Sequence, residues 1–266
     1  MANKIYVGIG GWDYDPWRET FYPPDVPKRL QLHYASRHLT AVEVNGTFYR
    51  LQSPAVFAKW RDETPDSFIF ALKASRFTTN RRDLSEAGES VQKFISSGIT
   101  ELGPKLGPIL WQLTPTKKFD AAEIQAFVKL LPKKHDGVSL RHALEVRHES
   151  FMCDEYVNIA RKLGITTVFA DSDEYPSFAD VTGSFVYARL MRTTSEQSTG
   201  YSKAALSKWA RRCNEWSEGK APSDLAVVAD TAASTKARDV FAFFISGAKE
   251  RAPAAAMHLI QTLSAK

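Results

Sequence analysis

The stretch Phe185-Val186-Tyr187-Ala188-Arg189-Leu190 is apolar or aromatic except for one arginine. A short run that is apolar on both alternating faces predicts a strand buried on both sides, as in parallel sheets covered by helices. Seven similar runs occur in the chain, at residues 5–9, 41–44, 68–72, 109–113, 143–146, 166–170 and 225–229. Eight such strands in 266 residues predict an α/β protein with a (β/α)₈ barrel.

Helical patterns fill most of the intervals between these runs. They lie at residues 84–102, 120–131, 154–163, 202–216 and 234–248, and Pro253 is expected to begin a last helix. Gly164 predicts the end of the third of these helices. Residues 171–184 leave too little room for a helix, so the sixth connection is expected to be a loop. Without a linker or a repeat, we expect one domain over residues 1–266.

The composition excludes several classes of protein. Hydrophobic residues make up 44% and charged residues 24%, which are globular values and argue against disorder. No apolar run approaches the roughly 20 residues that span a bilayer, so no membrane association is expected. The two cysteines, Cys153 and Cys213, exclude a disulfide scaffold or a zinc motif. We therefore expect a cytoplasmic protein, and its net charge of +5 permits a polyanionic partner.

Polar residues stand at the carboxyl end of every predicted strand. In a (β/α)₈ barrel these ends form the active face, so we expect the side chains to meet there. They are Trp12, Glu43, Asn45, Lys73, Arg76, Gln112, Glu145, Arg147, His148, Asp171, Arg189 and Asp230. A structural alternative is a ring of ion pairs that closes the top of the barrel, because charged residues are buried only when paired.

Ordered motifs along nearly the whole chain resemble the YecE-like family. They include Gly8-Ile9-Gly10-Gly11-Trp12, Val42-Glu43-Val44-Asn45 with Thr47-Phe48-Tyr49-Arg50, Lys73-Ala74-Ser75, Leu110-Trp111-Gln112-Leu113 and Glu145-Val146-Arg147-His148. The resemblance implies a β/α barrel and no established reaction. Two segments depart from the family pattern: Met191-Arg192 stand where His-Gly is usual, and Val227-Val228-Ala229-Asp230 replace an aromatic, Asn-rich segment.

The chemistry expected at this end of the barrel is acid–base catalysis on an anion. Glu43, Glu145 and Asp171 are the candidate catalytic carboxylates. The candidate substrate-binding residues are Trp12, Asn45, Lys73, Arg76, Gln112, Arg147, His148 and Arg189. Lys73 could instead form a Schiff base if desolvated, but surrounding carboxylates would keep its pKa high, which disfavours this.

Three functions remain open from the sequence. The leading hypothesis is a hydrolase or lyase that acts on a phosphate-bearing or other small anionic substrate. The alternatives are a nucleic-acid-binding protein that uses a basic, aromatic surface, and a non-enzymatic barrel that binds a metabolite or a protein. No cofactor is expected, although a divalent metal at Glu145, Asp171 and Asp230 is a further option. The sequence does not determine the oligomeric state.

Overall fold

The computed structural model describes residues 4–229 and 235–265. In this part of the chain the strands are β1 (Ile5–Gly10), β2 (Ala41–Val44), β3 (Ile69–Lys73), β4 (Leu106–Gln112), β5 (Lys134–His135), β6 (Val138–Ser139), β7 (His142–Glu145), β8 (Thr166–Thr167), β9 (Phe169–Asp171), β10 (Phe185–Leu190) and β11 (Asp239–Phe244). The helices are α1 (Trp17–Thr20), α2 (Gln31–His38), α3 (Gly46–Tyr49), α4 (Pro54–Glu63), α5 (Arg76–Thr79), α6 (Gly88–Ile95), α7 (Ala121–Lys129), α8 (Asp154–Leu163), α9 (Lys203–Ser217) and α10 (Ala252–Ser264). Five 3₁₀ helices cover Lys28–Leu30, Leu84–Glu86, Ile99–Lys105, Glu149–Phe151 and Lys249–Arg251.

The main sheet runs in the order β8-β7-β4-β3-β2-β1-β11-β10-β9, and all of its neighbouring strands are parallel. Only Val168 separates β8 from β9. Because β8 pairs with β7 and β9 pairs with β10, this one stretch joins the two ends of the sheet. The result is a barrel with eight strand positions, so the predicted (β/α)₈ fold is confirmed.

The inside of the barrel is a packed apolar core. Its buried residues are Ala41, Ile69, Ala71, Leu110, Ala143, Val168, Phe185, Tyr187, Phe241, Phe243 and Ile245. Gly8 lets β1 and β2 come close together, because a Cβ atom at this position would lie 2.0 Å from the carbonyl oxygen of Ala41. A second, larger cluster packs the outer faces of the strands against the helices. The side chains are therefore buried on both faces of the strands, as the continuous apolar runs predicted.

The eighth strand is not where the sequence placed it. Residues 225–229 form a loop, in which the Asp180 carboxylate accepts hydrogen bonds from the backbone N–H groups of Val228 (2.8 Å) and Ala229 (3.1 Å). The strand is instead β11, inside the stretch predicted to be a helix over residues 234–248. Residues 240–244 are continuously apolar, and such a run fits a buried strand and a buried helix equally well.

The helices begin and end at residues of the expected kinds. Asp120 and Ser202 accept backbone hydrogen bonds at the start of α7 and α9, at 2.8 and 3.2 Å. Gly164 ends α8 with a φ of 69°, a left-handed conformation that glycine adopts without strain. The pattern over residues 84–102 is divided between α6 and two 3₁₀ helices, and residues 172–184 form the predicted loop. Within the described ranges, no helix has the length and apolar character to cross a bilayer.

Candidate active site

An arginine at the end of β10 bridges two glutamates across the carboxyl end of the barrel. Arg189 donates from Nε and Nη2 to the two carboxylate oxygens of Glu43 on β2, at 3.1 and 3.0 Å. Its Nη1 donates to both oxygens of Glu145 on β7, at 2.9 and 2.8 Å. All three side chains are almost completely buried. The bridge is therefore a charged group held inside the barrel by two-point hydrogen bonds.

Further donors complete this network. The Tyr187 hydroxyl donates to Glu43 at 2.8 Å, and Gln112 Nε2 and Arg147 Nε donate to Glu145 at 2.7 and 2.9 Å. Burial alone would raise the pKa of Glu145, but Arg189, Arg147 and Gln112 outweigh it and hold that pKa below its ordinary value. Glu145 is thus an anion at neutral pH and does not act there as a proton donor.

Lys73 faces the same end of the barrel but stays outside the network. The residue is 8% exposed, and its Nζ lies 4.0 Å from the centre of the Phe48 ring. Among the described residues, its Nζ has no hydrogen bond and no ion pair. Burial, supported by Arg189 and Arg147 against the pull of Glu43 and Glu145, lowers the pKa of Lys73 to about 8.

The low pKa of Lys73 corrects one expectation. The sequence suggested that nearby carboxylates would keep this amine charged, but Arg189 and Arg147 take up the oxygens of Glu43 and Glu145. Two carboxylates then face three cations, so one positive charge at the mouth of the barrel has no counterion among the described residues. An anionic ligand would supply the missing negative charge.

Asp171 does not join Glu43 and Glu145, so the expectation that the three carboxylates converge is wrong. Phe169, two residues before it, packs against Trp209 and Trp216 of α9, on the outer side of the barrel. Asp171 follows on the same face and accepts a hydrogen bond from the Tyr201 hydroxyl at 2.9 Å. It borders a separate cavity of about 380 Å³ beneath α9. Burial raises the pKa of Asp171, against the opposing effects of Tyr201 and Arg192.

The other predicted substrate-binding residues lie around the network. Trp12 packs on Trp60 and Phe70 at ring distances of 5.1 and 6.4 Å, in the layer outside the barrel. His148 accepts a hydrogen bond from the Ser150 backbone at 3.1 Å and caps a 3₁₀ helix. Neither residue contacts the buried glutamates.

Asn45 and Arg76 are nearer the barrel mouth. The Asn45 amide makes a long 3.4 Å contact with the carbonyl oxygen of Glu43. Arg76 is exposed, and its guanidinium lies 5.3 Å from the ring of Phe77.

Sequence reasoning missed several aromatic residues of this region. Tyr187 lies two positions before Arg189, so strand alternation could have placed its hydroxyl on the same face. Tyr175 stacks on the Arg147 guanidinium at 4.1 Å and comes from the long loop after β9, where no periodic pattern applies. Tyr49 and Phe77, on the short helices after β2 and β3, are 66% and 62% exposed. Both rings follow neighbouring strands and stand next to exposed arginines, so they are candidates for a binding surface.

The carboxylates described here do not form a cluster that would hold a metal ion. Across residues 4–229 and 235–265, no group of three or more His, Cys, Asp or Glu side chains has a suitable arrangement. Of the predicted metal-binding set, Glu145 and Asp171 point to opposite faces of the barrel wall, and Asp230 lies outside the described residues. A divalent metal at Glu145, Asp171 and Asp230 thus stays a prediction from the sequence.

Known proteins resemble this chain in fold and in sequence. A crystal structure of a DUF72 family protein from Thermotoga maritima matches it with a TM-score of 0.75, over 98% of this chain and 100% of that one; at 22% identity this shows the fold alone. The UPF0759 protein YecE of Escherichia coli (strain K12) is 28% identical over 176 residues, which cover 63% of this chain and 59% of YecE. The UPF0759 protein YunF of Bacillus subtilis (strain 168) is 30% identical over 154 residues, 55% of this chain and 52% of YunF.

The matched parts span only a little over half of the length of these two curated relatives. The family match is broader and agrees with the resemblance to YecE-like proteins that the sequence motifs predicted. The sequence model of the family described as "Protein of unknown function DUF72" matches residues 6–266, and the chain belongs to that family.

Proposed function

We propose that the mouth of the barrel is the active site of a lyase that acts on a small anionic carbonyl compound, with Lys73 as the attacking amine. The observation that carries this proposal is the state of Lys73. It is a buried amine with no hydrogen-bond or ion-pair partner among the described residues, and its pKa is lowered to about 8. An amine with a pKa of about 8 is uncharged in about one molecule in ten at pH 7 and in about half at pH 8, and its uncharged form can act as a nucleophile.

The proposed chemistry begins at Nζ of Lys73. The lone pair of the uncharged amine attacks the carbonyl carbon, a proton from solvent lets the carbonyl oxygen leave as water, and an iminium ion forms. The iminium accepts the electron pair of the bond between the α and β carbons, so that bond breaks and an enamine remains, while the β-hydroxyl gives its proton to water and the β-carbon fragment leaves as a carbonyl compound. The enamine takes a proton from water at the α carbon, and hydrolysis of the resulting iminium releases the second product and restores the amine. Glu43 and Glu145 are not the proton donors in this scheme, because Arg189 binds the carboxylates of both. Their role is to hold Arg189 and Arg147 in place.

Arg147 is the residue proposed to bind the anionic group of the substrate, a phosphate or a carboxylate. Its Nε is bound to Glu145 and its guanidinium stacks on Tyr175, so the group is fixed in orientation. The terminal nitrogens make no hydrogen bond to the described residues. They could grip two oxygens of an anion, which a lysine could not do.

Reductive trapping tests the proposal. The protein is incubated at pH 8 with pyruvate or dihydroxyacetone phosphate, reduced with borohydride and mapped by peptide mass spectrometry. We expect a stable adduct at Lys73 and none in Lys73→Met. Lys105 is a control within the same molecule, since it is equally buried but its Nζ donates to the carbonyl oxygens of Arg61 and Thr64 at 2.6 and 2.7 Å.

Two results would count against the lyase. Adducts spread evenly over the exposed lysines, with none enriched at Lys73, would show that the amine is not activated. Binding of the anions without any adduct, and its loss in Arg147→Ala, would instead favour a barrel that binds a metabolite without reaction.

Nucleic-acid binding is the second candidate, because the aromatic surface beside the mouth favours it. Tyr49 with Arg50, and Phe77 with Arg76, present exposed rings next to exposed cations. Rings and arginines in this arrangement stack on bases and contact phosphates, and such binding weakens steeply with salt. Titrating a single-stranded oligonucleotide at several salt concentrations tests it. We expect the double variant Tyr49→Ala/Phe77→Ala to lose most of any binding, whereas Leu30→Ala, at another exposed apolar residue, keeps it.

A further inference from the structure

We propose that the opposite end of the barrel holds a second binding site, for an organic anion with an apolar body and a phosphate or carboxylate head. The site is a cavity of about 620 Å³ between the carboxyl ends of α7 and α8 and the amino ends of β7 and β10. That end of the barrel is remote from the mouth occupied by Lys73 and Arg189. The inference is therefore independent of the proposed lyase activity.

The floor of this cavity is apolar. Leu131, Leu140, Ile165 and Phe185 line it and are buried in the barrel wall and the connecting loops. A volume of this size accommodates a small organic molecule rather than a single ion. The floor would take up the apolar part of the ligand, because covering these side chains removes apolar surface from water.

The sides of the cavity are positively charged. Lys129, Lys133, Lys162 and Arg141 line it, and its described lining contains no aspartate or glutamate. The three lysines have no ion pair in the part of the chain that the structure describes. Arg141 binds Asp239 at 3.0 Å and stacks on Phe241 at 4.8 Å, which fixes its guanidinium in place. The charge thus favours an anionic head group.

Stabilisation of helix ends explains only part of this charge. Lys129 and Lys162 lie in the last turns of α7 and α8, where cations compensate the exposed carbonyl groups. Lys133 and Arg141 belong to no helix, yet they border the same cavity. Asp239 and Phe241 account for the place of Arg141, but Lys133 has no such local reason, and a ligand supplies one.

His142, which also lines the cavity, does not contribute to the charge. Trp111 Nε1 donates to its Nδ1 at 3.1 Å, so the proton lies on Nε2, which donates to the carbonyl oxygen of Pro132 at 2.8 Å. Burial lowers the pKa of His142, against the weaker effect of that carbonyl group. The ring is neutral at pH 7, so the positive charge of the cavity comes from Lys129, Lys133, Lys162 and Arg141.

Calorimetric titration with octyl phosphate tests the site. We expect wild-type protein to bind octyl phosphate more tightly than inorganic phosphate or octanol, because only the first ligand offers both parts. The triple variant Lys129→Gln/Lys133→Gln/Lys162→Gln should raise the Kd about tenfold or more. Lys93→Gln/Lys203→Gln/Lys220→Gln removes the same charge elsewhere and should leave the Kd unchanged. Comparing the Kd of adenosine monophosphate with that of octyl phosphate shows whether the cavity prefers a nucleoside or an alkyl chain next to the phosphate.

A second variant keeps the charge and fills the space. Ser184 is exposed at the edge of the cavity, so Ser184→Trp should weaken octyl phosphate binding without unfolding the protein, as a thermal melt would verify. The proposal is overturned if octyl phosphate does not bind, if octanol or inorganic phosphate binds equally well, or if both triple variants lose affinity alike. Loss of binding in Lys73→Met, with the cavity variants unaffected, would place the anion at the mouth instead.

Discussion

Replacing Arg189 with methionine removes four hydrogen bonds from two buried carboxylates. Methionine fills much of the same volume, so the change isolates the charge. Glu43 then keeps only the Tyr187 hydroxyl as a partner in the network, whereas Glu145 keeps Gln112 and Arg147. The loss should therefore fall mainly on Glu43.

Removing one partner of a buried ion pair costs about 3–5 kcal/mol, because the remaining charge is left uncompensated. Since Glu145 retains two donors, only Glu43 is left uncompensated. We therefore expect the free energy of unfolding of Arg189→Met to fall by about this amount for one glutamate and not for both. Domains are stable by about 5–15 kcal/mol, so the variant should fold but should unfold at much lower urea concentration. The double variant Glu43→Gln/Arg189→Met leaves no charge on either partner and should recover a large part of the loss.

The loss of stability caused by Arg189→Met should depend on pH. At pH 7.5 a buried anion lacks its cation, and protonation at lower pH removes that charge, so the gap between variant and wild type should narrow toward pH 5. In the wild-type protein, by contrast, lowering the pH removes a stabilising contribution. Because the pKa of Glu145 is lowered in the folded state, its contribution to stability is fully present above the ordinary glutamate pKa and is lost as the pH falls from there through the lower folded-state pKa.

Urea denaturation followed by circular dichroism at pH 5 and pH 7.5 measures these differences. Arg211→Met is the control, since it removes ion pairs to Glu215 and Asp224 from an arginine whose side chain is 44% exposed, and solvent screens such pairs. An Arg189→Met protein as stable as this control at both pH values would refute the view that the bridge holds buried charges.

Other parts of the structure give equally direct tests. In a spectrum of ¹³C-labelled lysines, the signal of Lys73 should titrate near pH 8 rather than 10.5, and it should be the signal missing from Lys73→Met. Tyr201→Phe removes a donor to ionised Asp171, so the pKa of Asp171 should rise further, as carboxyl ¹³C shifts would record; an unchanged pKa would mean that the hydroxyl does not bind there. Gly8→Ala should destabilise the barrel by about 1–3 kcal/mol or more in urea melts, since its Cβ would meet the Ala41 carbonyl oxygen; a neutral effect would show that the two strands can separate cheaply.

The strands were predictable where an apolar run had clear limits. Residues 41–44 and 185–190 were predicted residue for residue. Thr40 and Asn45 border the first run, and Gly183-Ser184 precede the second. The run at residues 240–244 was wrongly predicted to be part of a helix, because a buried strand and a buried helix have the same apolar composition. Ser246-Gly247, which follow the run, are a turn signal that the prediction did not use. Tertiary pairing with β1 and β10 decides that β11 is a strand, and no local pattern contains that information.

The candidate site shows the same division. Glu145 and Arg147 were expected on one face by their spacing of two residues, and they do meet at 2.9 Å. Asp171 follows a run at residues 166–170 that is buried on both faces, so the sequence does not reveal which face is the interior. The unpaired state of Lys73 was not predictable either. It arises because Arg189 binds the carboxylates of Glu43 and Glu145, and the sequence does not show which cation lies closest to them.

The bridge made by Arg189 has a consequence for the order of folding. It links residues 146 positions apart in the chain, and β10 lies next to β1 only through β11, which comes near the end of the sequence. The ion pairs of the two glutamates with Arg189 therefore require β11, the last strand, to be in place. We expect these contacts to form after the transition state, in which case they slow unfolding without speeding folding. In stopped-flow experiments, Arg189→Met should accordingly unfold much faster than wild type while refolding at nearly the same rate. The ion pairs at the mouth of the barrel would then stabilise the folded protein by slowing its unfolding.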